Sequence, residues 1–188
     1  MTVESDVSRL RRGDPEALAA LLERYQNRLY RYLLRLVREP ATAEDLFQQT
    51  WLRVAENIRR YDPARSFEAW FFSVARNLAI DHLRRYRPES LDETDSSEVP
   101  REWLLAAPGP SALERVLAGE RAGRLAEAVA GLPVIYRDVL ALRFEEEMKL
   151  EEIAGVLDVP LSTVKTRLGR ALEGLRHKIE TEWRGGRR

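Results

Sequence analysis

Residues Leu150–Leu175 read LEEIAGVLDVPLSTVKTRLGRALEGL, and this stretch decides the fold. A short helix over Leu150–Leu157 carries Ile153, Ala154 and Leu157 on one side. Asp158-Val159-Pro160 breaks it with a tight turn, and Ser162 is placed to cap a second helix running to about Trp183. Two helices joined by so short a turn form a helix-turn-helix. Ala154 suits the close crossing, and Val159 and Val164 are expected to seal the small core between the helices.

The second helix has two faces. Val164, Leu168, Ala171, Leu172, Leu175 and Ile179 recur at spacings of three and four and form the expected buried stripe. Thr163, Thr166 and Arg170 fall on another line, flanked by Lys165 and Arg167. A helix presented this way can offer Thr166 and Arg170 to base edges in a major groove. Lys165, Arg167 and the helix N-terminus at Ser162 then face phosphates. A plain helical hairpin with a basic surface is the blander alternative.

Upstream, Leu132-Pro133 opens a helix to about Glu146, preceded by another from about Ala112 to Gly131. Before these lies PESLDETDSSEVPREWLLAAPGPS, polar, acidic and proline-bearing. From Glu89 to Glu102 six acids stand against Arg101 alone, a balance of −5. This segment, about 89–111, reads as a flexible linker whose Trp103-Leu104-Leu105 is able to dock on another surface.

The first part of the chain is also helical. Asp14-Pro15 starts a helix whose stripe is Leu18, Leu21, Leu22, Tyr25, Leu29, Leu33 and Leu36, and Glu39-Pro40 ends it. Thr42 with Asp45 resembles a capping box for a second helix to about Arg60. Its core side is Ala43, Phe47, Thr50, Trp51, Val54 and Ile58. The opposite side carries Asp45, Gln48, Gln49, Leu52 and Glu56, a polar face holding a leucine, as a protein-docking surface does. A third helix, capped by Ser66, runs to about Arg87. Beside its apolar line of Phe67, Phe71, Val74 and Leu78 run Trp70, Asn77, Asp81 and Arg84. An aromatic, an amide, a carboxylate and a guanidinium in one row suit an unstacked base and its phosphate. The competing reading makes Trp70 a core residue and pairs Asp81 with Arg85.

The expectation is therefore an all-α chain: two small helical domains, 1–88 and 112–188, joined by an acidic flexible linker. Each is near the size at which one core barely suffices, so contacts with a partner contribute to its order. Composition narrows the function. The 188 residues hold 31 bases, 31 acids, two histidines and no cysteine. That excludes disulfides, thiolate metal sites and thiol nucleophiles. No metal or cofactor is expected. No apolar run reaches the roughly 18 residues of a membrane span, and MTVESDVSRLRR lacks the apolar core of a signal peptide. A cytoplasmic protein that does not insert in membranes is expected. A net charge of zero hides local basic stretches: Ser162–Arg188 balances at +5 and Arg76–Pro88 at +3. No phosphate loop or positioned nucleophile is present, and His82 beside Asp81 cannot form a dyad on a helix, so no enzyme is expected.

Three segments resemble a known family. GDPEALAALLERYQNRLYRYLLRLV is similar to the opening helix of bacterial RNA polymerase sigma factors of the extracytoplasmic-function group. AEDLFQQTWLRV with SFEAWFFSVARNLAIDHLRR resembles their second conserved region, and LPVIYRDVLALRF with the helix-turn-helix resembles their fourth. The resemblance implies that Asp45, Gln48, Gln49 and Leu52 dock on core RNA polymerase. It implies that Arg65 and Phe67, with Trp70, Arg76, Asn77, Asp81, Arg84 and Arg85, hold the melted minus-ten element. Ser162, Thr163, Lys165, Thr166, Arg167 and Arg170 would read the duplex minus-thirty-five element, and an anti-sigma partner would mask both domains. Gln49 stands where a glutamate is frequent, and Asp158 and Ser162 replace frequent glycines. The alternative is a helix-turn-helix regulator that binds duplex DNA without polymerase.

Overall fold

The structure, a computed structural model, describes residues 2–86, 123 and 125–185, with side chains through Ile179. The expected linker, the docking of Trp103-Leu104-Leu105 and the helix start near Ala112 lie outside the described residues. Every regular element among the described residues is helical, in two units.

The first unit begins with a helix that the sequence did not announce, α1 (Val3–Arg11). Thr2 caps it, Glu4 and Asp6 sit in its first turn, and Arg9 and Arg11 in its last, the charge order that a helix dipole favours. Arg9 reaches the Asp14 carboxylate at 2.8 Å and so ties α1 to the start of α2 (Pro15–Val37). Asp14 caps α2 as expected, and Pro15 fills its first turn. The helix ends in the left-handed Arg38 (φ 63°). Helix α3 (Pro40–Asn57) is capped by Glu39, which accepts from the amides of Ala41 and Thr42; the cap lies three residues before the expected Thr42 because Pro40 takes the first helical position. A 3₁₀ turn, Ile58–Arg60, leads to a loop and to α4 (Phe67–Tyr86), where Ser66 accepts from the Ala69 amide as expected.

Leu21, Tyr25, Leu29, Leu33 and Leu36 are fully buried as the stripe requires, but Leu22 lies at its edge and is 36% exposed. Tyr32, absent from that stripe, is also fully buried, for a reason supplied by the second unit.

The second unit comprises α5 (residues 125–130), α6 (Val134–Leu140), α7 (Leu150–Leu157) and α8 (Leu161–Gly185). After α6 the chain widens into a π turn over Ala141–Glu145, with the Glu146 amide bonded to the Ala141 carbonyl at 3.0 Å. The extra residue per turn carries Glu145 and Glu146 toward α2. There Arg35 meets Glu145 at 2.7 Å and Arg28 meets Glu146 at 2.8 Å. Helix α4 packs on α7 and α2 on α6, and the buried apolar side chains of both units form one cluster. Two cores that are each marginal thus complete one another.

Candidate nucleic-acid interface

Helices α7 and α8 form the expected helix-turn-helix. Asp158 takes the left-handed conformation (φ 52°) that the turn needs, which a short polar side chain tolerates. Ile153, Leu157, Val164, Leu168 and Ala171 are buried, while Ala154 and Val159 are half-buried at the crossing. Two expectations need correction. Helix α8 starts at Leu161, with the Pro160 carbonyl accepting from Val164, so Ser162 lies inside the first turn and does not cap it. Ile179 is 38% exposed, because the apolar stripe outruns the helices it packs against. Ser162 and Lys165 are exposed, and Thr163, Thr166, Arg167 and Arg170 half-exposed. The Thr166 hydroxyl donates to the Ser162 carbonyl at 3.0 Å. Arg170 lines an open groove with Tyr136 and His177.

On α3, Asp45, Gln48 and Gln49 are exposed, and Leu52 among them is 64% exposed. Ala43, Thr50, Trp51, Val54 and Ile58 are buried on the other side, as the periodicity required. The helix is thus firmly seated and presents a polar face with one uncovered leucine.

The loop before α4 and the helix itself split the minus-ten set. Phe67 is only 6% exposed, packed against Tyr25, Tyr61 and Phe71, so it supports the surface from beneath and does not offer a free ring. Trp70 is half-buried and lies against Tyr61, ring centroids 5.2 Å apart. The Tyr61 hydroxyl donates to the Arg65 carbonyl, fixing the loop. A cavity of about 410 Å³ opens above, with Tyr61, Arg65 and Phe67 among its walls. Arg65 is exposed and approaches Asp62 at 3.9 Å. Asn77, Asp81, Arg84 and Arg85 are exposed on α4, and no ion pair joins Asp81 to Arg85 among the described residues.

Arg76 is different: it turns into the seam between the units. Its Nε donates to Asp138 of α6 at 2.7 Å, and the Tyr32 hydroxyl donates to the same carboxylate at 2.8 Å. Asp138 and Tyr32 are both buried. Burial, then the charge of Asp138, holds the Tyr32 phenol well above its ordinary pKa, so it stays a donor. Beside Asp138, the buried Arg137 donates to the Arg35 and Leu36 carbonyls at the end of α2. Arg167 of α8 is half-buried within range of both charges. Burial and then the like charge of Arg76 lower its pKa, against the pull of Asp138. Residues expected to touch two separate promoter elements are therefore close enough to feel each other's charge. The Arg137-Asp138 pair shows in the sequence only as two charges within an apolar helical run.

Among the described residues no group of three or more His, Cys, Asp or Glu is placed to hold a metal, and no helix is long and apolar enough to cross a membrane.

Comparison with known proteins agrees with this geometry. The sequence profile for Sigma-70 region 2 matches residues 21–89, and that for Sigma-70 region 4 matches residues 122–175. The ECF RNA polymerase sigma factor SigW of Bacillus subtilis is 29% identical over 184 residues, covering 95% of this chain and 97% of that protein. The ECF RNA polymerase sigma factor SigL of Mycobacterium tuberculosis is 34% identical over 167 residues, 87% of this chain and 89% of that one. The fold also matches the sigma factor RpoE solved with the anti-sigma factor NepR from Bartonella quintana, with TM-score 0.63 and 18% identity over 86% of this chain and 96% of that one. The two matched regions, in this order, define a protein of the sigma-70 class. The chain belongs to the ECF group of RNA polymerase sigma factors within that family.

Proposed function

We propose that the chain docks on core RNA polymerase through Asp45, Gln48, Gln49 and Leu52, and directs initiation at promoters by reading two DNA elements. The observation that carries this is the α3 face. A leucine at 64% exposure amid polar side chains, on a helix otherwise packed into the core, suits a partner. A regulator working without polymerase leaves that face without a role. Helix α8 reads the duplex minus-thirty-five element through Thr163, Thr166 and Arg170, with Ser162, Lys165 and Arg167 toward phosphates. The Tyr61–Phe67 loop and α4 hold the melted minus-ten element, with Trp70 and Asn77 toward bases and Arg65, Arg76, Arg84 and Arg85 toward phosphates; Asp81 adds an acceptor for a base amine. Such a protein acts by binding, in the cytoplasm, and stacking on aromatic platforms at about 1–3 kcal/mol per base supplies the work of melting.

Arg76 is held by Asp138 in the seam, with Arg167 of α8 within reach of their charges, so the described arrangement is a closed one. Reading both elements together requires the seam to open. The RpoE relative was solved with an anti-sigma factor. A partner of that class holding the closed form is the regulation we infer for this chain.

Gel filtration of the full chain with bacterial core RNA polymerase tests the proposal. A stoichiometric complex, lost when Asp45 and Gln48 are both changed to alanine, is expected. A folded chain that fails to bind an active core overturns it.

A further inference from the structure

A second open groove lies beside the Tyr61–Phe67 cavity and is lined by Ser8, Arg11, Arg12 and Arg59. Its volume is about 360 Å³. Three guanidiniums and a hydroxyl face it, and no carboxylate does. In a chain with 31 acids for 31 bases this is unusual, and other arginines nearby are neutralised. Arg9 has Asp6, Asp14 and Glu16 within 4 Å, and Arg28 has Glu68 and Glu146. Arg11, Arg12 and Arg59 have no ion-pair partner among the described residues.

The three come from two elements that are held together. Arg11 and Arg12 end α1, and Arg59 lies in the 3₁₀ turn, which packs on α1. Two residues beyond Arg59, the Tyr61 amide closes that turn on the Ile58 carbonyl, and the Tyr61 ring begins the neighbouring cavity. Ser8 and Arg11 line both spaces, so the two run into one another. One part has an apolar wall of Val3 and the largely buried Val7, Tyr61 and Phe67, and carries the carboxylates Glu4 and Glu68; the other is lined by the three guanidiniums and the Ser8 hydroxyl. That division matches a nucleotide strand, with bases on the first part and phosphates on the second. The end of a helix repels anions, so the guanidiniums, whose forked donors suit phosphate oxygens, must carry the attraction here.

We propose that Arg11, Arg12 and Arg59 form a phosphate site for the single DNA strand whose bases enter the Tyr61–Phe67 cavity. This rests on the minus-ten reading above and gives α1 a role in it.

The test uses holoenzyme assembled from the full chain and core polymerase. The probe is the single strand of a promoter fragment selected from a random pool by the wild-type holoenzyme. Affinity is measured against salt, and again with each phosphate in turn replaced by uncharged methylphosphonate. Single-strand contacts contribute about 0.7 each to the salt slope, so the variant R11A/R12A/R59A should lower it by about 2. Affinity should fall at least tenfold at low salt, and sensitivity to methylphosphonate at the three contacted phosphates should vanish. The single variant R12E, at an exposed position, should shift both readouts the same way while complex formation with core is unchanged. An unchanged slope and methylphosphonate profile overturns the arginine site, even if the cluster binds free inorganic phosphate. If wild-type holoenzyme binds the strand no better than core alone, the minus-ten reading fails, and the site fails with it.

Discussion

The Tyr32 hydroxyl donates to the Asp138 carboxylate at 2.8 Å across 106 residues of sequence, with both side chains out of reach of water. Tyr32 stands on α2 in the first unit and Asp138 on α6 in the second. Arg76 of α4 completes the contact at 2.7 Å. A buried carboxylate needs such partners, since removing one leaves a charge that water cannot reach. The contact therefore couples the separation of the units to the solvation of Asp138 and Arg76. When the seam opens, water replaces what each partner loses.

Removing the carboxylate should open the seam. Asp138→Ala strands the Arg76 guanidinium, a change that costs about 3–5 kcal/mol when a buried pair is broken. The chain can escape that cost by separating its units. Since it has no cysteine, Ala55→Cys and Glu151→Cys, both at exposed sites on different units, allow a dye pair to be attached cleanly. Energy transfer should drop in Asp138→Ala and fall less in Tyr32→Phe, which loses one hydrogen bond to a charged group, about 1.5–3 kcal/mol. Equal transfer in wild type and Asp138→Ala would show that apolar packing alone holds the units.

Arg137 tests the same seam from the backbone. Its guanidinium serves the Arg35, Leu36 and Leu132 carbonyls, taking over the end of α2 from the other unit. Lysine keeps the charge but not the planar fork. Arg137→Lys should leave at least one buried carbonyl unmet, costing about 1–3 kcal/mol, read as a lower urea midpoint. A midpoint equal to wild type would mean that water already meets those carbonyls.

The contrast between elements shows what periodicity reveals. The helix-turn-helix, the Asp14 and Ser66 caps and the core side of α3 were legible, because burial imposes a spacing and termini need local donors and acceptors. Tyr32 and Asp138 were not, since each is polar on a helix whose own stripe is apolar and its partner lies far along the chain. Phe67 belonged to the expected DNA set by position, yet the aromatic cluster of Tyr25, Tyr61 and Phe71 takes its ring inward. Helix α1 has only a short apolar pattern, Val7 and Leu10, and its order comes from packing on α2.

Glu39 offers a prediction in acid. Hydrogen bonds from Thr42, and then from the Ala41 amide, hold its carboxyl below the ordinary value of 4.5 in the folded chain. A depressed carboxyl pKa stabilises the fold above the unfolded value, and that contribution is lost as pH falls through the folded one. Glu39→Gln keeps an acceptor for the cap but cannot titrate. Stability measured from pH 6 down to pH 3 should therefore decline less steeply in Glu39→Gln than in wild type. Parallel curves would assign the acid loss to other carboxylates.

Arg170 and Lys165 lie on different faces of α8 and should fail differently. Lys165 is exposed near the helix start, where phosphates are expected, and Arg170 faces the groove beside Tyr136 and His177. A bidentate base contact carries about 1–3 kcal/mol of discrimination, whereas a phosphate contact carries none. With holoenzyme on a library of minus-thirty-five duplexes, Arg170→Ala should flatten the preference at one position. Lys165→Ala should weaken all duplexes alike and lower the salt slope by about 1. Uniform weakening in both variants would remove Arg170 from base reading and leave sequence discrimination to Thr163 and Thr166.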